Sequence, residues 1–261
     1  SRRTHAEETA PKTEGLERPS SRMSAAPHAP ELANDAQRGT HCVQRVVQGH
    51  LVATLYLGDC RDIAPQLEGV DAVISDPPYG MDWNTNYSRF RPGVNGHGGR
   101  ILPDRPKIQG DAEPFDPAAW LEYPAVVLFG CNHYAQRLPV GTTLVWLKRH
   151  DAGFGSFLSD AELAWMKGGH GVYAKRDLSM NAETLTRCHP TQKPVPLMAW
   201  CMEMAKVPAG ATVLDPYMGS GTTGIACLRT GRNFVGIEKD PAHFANAVAR
   251  LEREANQGAL L

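Results

Sequence analysis

Apolar residues recur along the chain in short blocks set between turn-forming residues, and most of these blocks are continuous rather than alternating. Residues 51–57 (LVATLYL), 71–75 (DAVIS), 125–129 (AVVLF), 142–147 (TTLVWL), 211–215 (ATVLD) and 233–238 (NFVGIE) are of this kind, and 161–166 is a further candidate. Short unbroken apolar runs predict strands buried on both faces, as in parallel sheets. Between them, residues 61–67 suit a short helix. Residues 194–206 suit a longer one, with Pro194 and Pro196 tolerated near its start. Residues 222–230 and 241 to about 256 complete the helical pattern. Strands alternating with helices predict an α/β fold, a doubly wound and mostly parallel sheet.

The pattern fails at the start of the chain. Residues 1–46 are rich in Ser, Pro, Ala, Glu and Arg and show no periodicity. Such a segment buries too little apolar surface to offset its ordering entropy, so a disordered extension is expected there, with the folded domain over 47–261. Met23 is a candidate start of the natural chain. Two internal stretches also lack a clear pattern. Residues 84–110 carry Arg89, Arg91, Arg100, Arg105 and Lys107 against Asp104, among several glycines, and read as a mobile, basic loop. Residues 149–188 are mixed and polar.

Composition narrows the function classes only a little. The formal net charge of −1 over 261 residues neither favours nor excludes nucleic acid, because a basic cleft fits inside a neutral chain. Six scattered cysteines without a C-x-x-C pair suggest neither a zinc site nor a disulfide framework. No apolar run reaches the ~20 residues of a membrane span, and the start of the chain lacks the apolar core of a signal peptide. A cytoplasmic location is the expectation.

Chemistry concentrates at two turns. Residues 211–240 read as strand, glycine turn, helix and strand, closing on Glu238 about 20 residues after Gly219, where nucleotide-binding folds place an acid on ribose hydroxyls. Gly219 and Gly221 permit a tight turn and close approach to a ligand. Asp215 at the end of the first strand is placed to meet a cationic group. The spacing is not that of the dinucleotide motif. Acids flank the turn where a pyrophosphate would want a free helix amino terminus, and this suits S-adenosylmethionine, with its ammonium, sulfonium and ribose. The second turn is Asp76-Pro77-Pro78-Tyr79, directly after a strand. Its two prolines forbid both a continued ladder and a helix interior, so a carboxylate and an aromatic are fixed at a strand mouth.

Four segments together resemble the β-class of DNA amino-methyltransferases, over roughly residues 50–257. Asp76-Pro77-Pro78-Tyr79 resembles that family's catalytic motif, and Asp215-Pro216-Tyr217-Met218-Gly219-Ser220-Gly221-Thr222-Thr223 its cofactor-binding glycine motif. His189-Pro190-Thr191-Gln192-Lys193-Pro194 is similar to the segment preceding that motif, and Val235-Gly236-Ile237-Glu238 to its ribose-binding strand. The order, catalytic motif first, is the permuted one of that class.

The resemblance implies a Rossmann-like methyltransferase sheet and a cofactor, S-adenosylmethionine, bound by Asp215, Tyr217, Gly219, Ser220, Gly221, Thr222 and Glu238. Asp59 would meet the cofactor's adenine amino group or simply cap a helix. Thr191, Gln192 and Lys193 would approach its methionine end or form a loop leading into a helix. It implies that Asp76 and the Pro77 carbonyl accept the hydrogens of a base amine, beside Pro78, while Tyr79 stacks on a base extruded from double-stranded DNA. Trp83 either walls that base pocket or sits in the core. His133 and His243 read as ordinary polar residues.

Adenine N6 is the expected target, because the motif opens with aspartate, and cytosine N4 is the alternative. Methylation of RNA and a non-catalytic partner subunit remain open. Residues 149–188 fall where the family carries its target-recognition region, and are short for it. A homodimer and a cognate restriction enzyme are compatible with the resemblance, and neither is required by it.

Overall fold

The computed structural model describes residues 42–81, 112–155, 159–178 and 192–258. The basic loop at 84–110, Trp83, Thr191, His189 and residues 1–41 lie outside them. Eight strands form one sheet in the order β1-β2-β8-β7-β3-β4-β6-β5. They are β1 (Cys42–Gln48), β2 (Leu51–Leu57), β3 (Ala72–Ser75), β4 (Ala125–Phe129), β5 (Gly141–Leu147), β6 (Ala161–Arg176), β7 (Thr212–Asp215) and β8 (Asn233–Glu238). The helices are α1 (Cys60–Ile63), α2 (Ala118–Leu121), α3 (Val195–Met204), α4 (Thr222–Arg229) and α5 (Pro241–Gly258), with short 3-10 turns between.

The unbroken apolar blocks form the parallel centre, β2-β8-β7-β3-β4. Alternate residues of these strands feed two cores. Leu55, Ile74, Phe129, Val213 and Phe234 point to the face covered by α3, α4 and α5. Tyr56, Val73, Leu128, Leu214 and Ile237 point to the other face, with Ile63 of α1 and Trp120 of α2. Both faces are covered, which is why these strands read as continuous rather than alternating. Among the described residues no helix is long and apolar enough to cross a membrane, and Cys60, Cys131, Cys201 and Cys227 are free and buried.

The margins depart from the parallel pattern in two places. β1 begins at Cys42, four positions ahead of the boundary at 46 that composition suggested. Its whole length pairs antiparallel with β2, from Cys42↔Leu57 to Gln48↔Leu51. Pairing with a formed sheet edge orders a sequence too polar to fold by itself. The second departure is β6, which runs to Arg176 rather than stopping near Met166. Gly168 and Gly169, at φ +83° and +66°, turn it back on itself. Residues 161–167 descend against β5 in antiparallel register, between β4 and β5. Residues 172–176 climb β5 in parallel register on its other edge. β5 is thus enclosed by the two halves of β6. Only three consecutive apolar residues, Val172 to Ala174, stand on the outer half between Gly171 and Lys175-Arg176, too short a run to read as a strand.

Candidate active site

The two motif turns meet at the carboxyl ends of neighbouring strands. β3 pairs with β7 in parallel, and the Asp76–Tyr79 turn follows β3 as the glycine turn follows β7. From β7 the chain moves to β8 on one side, and from β3 it moves to β4 on the other. This is the topological switch point of an open sheet, where the crevice for ligands lies. A buried hydrogen bond joins the turns: Ser75 Oγ donates to Asp215 Oδ1 at 2.6 Å.

Asp215 is buried, and its remaining capacity is also used inside the fold. Thr223 Oγ1 donates to Oδ2 at 2.6 Å and the Tyr217 N–H to Oδ1 at 3.1 Å. Burial pushes its carboxyl up to about 6, against the pull of those donors. The acid expected to meet a ligand cation thus carries structural contacts as well. Asp215 pins the start of the glycine turn and of α4 to the end of β3.

Asp76 stands at the centre of a buried polar chain. Tyr79 Oη donates to Oδ1 and Lys193 Nζ to Oδ2. The same Nζ lies 3.0 Å from Glu162 Oε2, and Glu162 Oε1 accepts from Lys148 Nζ at 2.9 Å. Carboxylates and ammonium groups thus alternate from the Asp76–Tyr79 turn to the end of β5. Desolvation raises Asp76 above the usual carboxylate range, and the Lys193 charge opposes it. Burial acts on Glu162 in the same sense, but Lys193 and Lys148 overcome it and hold that acid low. Lys193 remains charged despite its burial, held above the ordinary lysine range by Asp76 and Glu162. The sequence grouped Lys193 with a cofactor. The structure sets its ammonium on the Asp76 carboxylate, 5.2 Å from the Phe129 ring centre.

The Tyr79 ring lies flat against Gly130, where an added Cβ would fall 2.0 Å from its Cε1. Gly130 also sits at φ +71°. Any larger residue here would meet both backbone strain and the ring. Tyr79 also stacks on His133, with centroids 5.0 Å apart and planes 10° from parallel. Beside this pair opens a cleft of about 240 Å³ lined by Tyr79, Gly130, Asn132, His133, Ser159, Ala161, Glu162 and Leu163. His133, read from the sequence as an ordinary polar residue, thus lines the cleft beside Tyr79. Neither His133 nor Glu162 belongs to a motif, and only the register of β4 against β6 brings them to Tyr79.

On the other side of the switch point, Gly219 and Gly221 adopt φ +51° and +74°. Gly221 caps α4 without a side-chain bond. Glu238 Oε2 accepts the Gly219 N–H at 2.9 Å and Oε1 the Asp240 N–H at 2.8 Å, so the acid is fixed against the turn. Ser220 and Thr222 pack inside the turn, their hydroxyls 3.3 Å apart. Tyr217 is edge-on to Phe115 and Trp120, at 6.0 Å from each. Asp59 caps α1 through the Arg61 N–H at 3.0 Å and also binds the Arg61 and Lys239 side chains. Arg61 holds its carboxyl well below the usual range. The capping alternative for Asp59 is therefore realised. Gln192 is buried just ahead of α3. A glycine turn with a fixed carboxylate repels phosphate and accepts hydroxyl or ammonium hydrogens, so this donor set fits a phosphate-free nucleoside.

Residues 141–249 match the DNA methylase family. Among curated proteins, 77 residues are 40% identical to the Type II methyltransferase M2.DpnII of Streptococcus pneumoniae, covering 30% of this chain and 28% of that protein. The Type II methyltransferase M2.LlaDCHI of Lactococcus lactis subsp. cremoris is 36% identical over 81 residues, covering 31% and 30%. The match therefore spans under a third of the length of either relative. Of the solved structures, the M1.HpyAVI–SAM complex aligns over 76% of this chain and 99% of that one, with 22% identity and a TM-score of 0.47. The cytosine-N4-specific PvuII DNA methyltransferase aligns over 80% and 93%, with 13% identity and a TM-score of 0.46.

Proposed function

We propose, from the match of residues 141–249 to the DNA methylase family, that the protein is an S-adenosylmethionine-dependent DNA methyltransferase that modifies adenine N6 of a base turned out of the duplex. The observation that carries this reading is the Ser75–Asp215 bond at the switch point, which ties the Asp76 turn to the glycine turn across adjacent strand ends. Acceptor chemistry and cofactor chemistry then share one crevice.

Gly219, Ser220, Gly221, Thr222, Glu238 and Gln192 would hold the cofactor, with Thr191 from outside the described residues. Tyr217, Asp59 and Asp215 would shape its seat. When bound, S-adenosylmethionine supplies a methyl group already activated on a sulfonium. The chain's own task is to orient an amine whose lone pair is delocalised into the base ring. Asp76 and the Pro77 carbonyl accept its hydrogens, with Pro78 keeping the turn rigid, and this localises the nitrogen lone pair. The methyl would pass to the amine with the sulfonium becoming a neutral thioether, and the proton the amine gives up would go to Asp76 or to water. Holding the reactants in line supplies much of the acceleration. Tyr79 and His133, beside the 240 Å³ cleft, give the extruded base an aromatic wall. Double-stranded DNA is the partner on this reading. Both curated relatives are named type II methyltransferases, which supports modification of a fixed site and a cognate restriction enzyme.

Nucleoside mass spectrometry of duplex DNA treated with the protein and cofactor tests the assignment. N6-methyladenine is the expected product. N4-methylcytosine in its place would overturn the choice of base, and no methylated nucleoside on any duplex would overturn the enzyme reading.

A further inference from the structure

Both oxygens of Asp76 are already taken, one by the Tyr79 phenol and one by the Lys193 ammonium. An amine arriving at this carboxylate has to displace a donor. A displaced phenol is neutral and remains at the rim of the cleft. A displaced Lys193 is different, because its side chain is only 7% exposed, and a buried cation without a counterion is strongly unfavourable.

The structure contains a second seat for that cation. Glu162 Oε2 lies 3.0 Å from Lys193 Nζ. The ammonium is thus hydrogen-bonded to Asp76 and ion-paired with this buried oxygen, the second contact falling short of good hydrogen-bond geometry. The other oxygen of Glu162 is anchored by Lys148. A carboxylate fixed at one end by Lys148 and already ion-paired at the other with the ammonium is the arrangement a handover needs.

We propose that Glu162 is a positioning residue that takes over the Lys193 ammonium when the target amine binds Asp76, freeing Asp76 to accept without stranding a buried charge. This rests on the reading that Asp76 receives the amine. The groups facing Asp76 are Tyr79 from its own turn, Lys193 ahead of α3 and Glu162 on β6, with Lys148 behind Glu162. Asp215 at the end of β7 and Tyr134 after β4 are more distant charge partners. Lys193 lowers Asp76 and Glu162 raises it. Removing the Glu162 charge leaves Lys193 committed to Asp76, and removing Lys193 leaves Asp76 buried without its cation. The two changes therefore move Asp76 in opposite directions.

The test uses the full chain as wild type, Glu162→Gln, Glu162→Asp and Lys193→Met, each with aspartate carrying 13C at Cγ, and Asp76→Asn to assign the signal. Carbon NMR titration follows Asp76, and single-turnover methyl transfer to duplex DNA is followed across pH at saturating cofactor. Glu162→Gln is expected to slow transfer about 10- to 100-fold, as for a disrupted buried ion-pair network, with the cofactor dissociation constant unchanged within about twofold. Asp76 should titrate lower in Glu162→Gln and higher in Lys193→Met, with the acid limb of the rate profile following. Glu162→Asp, which keeps the charge, should recover most of the rate and covers the case in which the amide variant does not fold. Equal rates in active wild type and Glu162→Gln would overturn the handover, as would shifts of Asp76 in the same direction in both variants. A wild type silent on every duplex offered would instead overturn the methyltransferase reading itself.

Discussion

On the proposed reading, Asp76 and Tyr79 divide the work of their turn between charge and surface. Asp76→Ala removes the acceptor, so methyl transfer should fall by about 10²- to 10⁴-fold, the range for losing a positioned proton acceptor. Calorimetric affinity for S-adenosylmethionine should persist, and equal activity in the variant would refute the role. Tyr79→Ala removes the aromatic wall. Base–aromatic stacking contributes ~1–3 kcal/mol, so KM for DNA should rise several-fold or more while Tyr79→Phe keeps most of it. The fluorescence of 2-aminopurine at the target position reads the difference directly. The turn itself was legible in the sequence, because two prolines after an apolar run leave few conformations. Lys193, Glu162 and His133 were not legible in these roles. Their partners Asp76, Lys193 and Tyr79 are 117, 31 and 54 positions away, brought near only by a strand register that no local pattern encodes.

At the scale of elements, the glycine at the end of β4 and the acid at the end of β7 hold the two turns in place. Gly130→Ala would set a methyl group against the Tyr79 ring at a left-handed backbone position. A loss of about 1–3 kcal/mol in chemical denaturation is expected, together with weaker base stacking as the ring is pushed off β4. Asp215 makes a prediction about pH. Its carboxyl moves from an ordinary 3.8 to about 6 in the folded protein, so between those values the folded state binds more protons than the unfolded one. Its contribution to stability is greatest below pH 3.8 and is lost as pH rises through 6, by roughly 3 kcal/mol in all. Unfolding by urea at several pH values should show this slope in wild type and a flatter one in Asp215→Asn. The strands of the parallel centre could be read with near-correct limits, since burial on both faces writes itself as unbroken apolar sequence. β1 and the outer half of β6 could not. They exist because a neighbouring strand supplies hydrogen bonds, and a partner's edge leaves no mark on the sequence it orders.

For the whole molecule, the crevice is assembled from both ends of the described chain, with β3 and its turn early and residues 192–238 late. Cofactor binding should therefore stabilise the entire domain. At a concentration 100-fold above its dissociation constant a ligand adds about 2.7 kcal/mol, which for a domain of this size corresponds to a rise in Tm of about 5–10 °C. Differential scanning fluorimetry should show that rise in wild type and in Asp76→Asn. Glu238→Ala should show little of it at the same concentration, and an undiminished shift would remove Glu238 from the cofactor site.

The hydroxyl of Ser75 gives these two halves a shared strut. With one end in the strand that presents Asp76 and the other in the acid that opens the glycine turn, ordering either ligand's side settles part of the other's. Affinity gained must then be mutual: whatever factor DNA confers on cofactor binding, the cofactor confers on DNA. Cutting the strut with Ser75→Ala should draw both ratios toward one together, so that two molecules that never touch the same side chain would stop sensing each other.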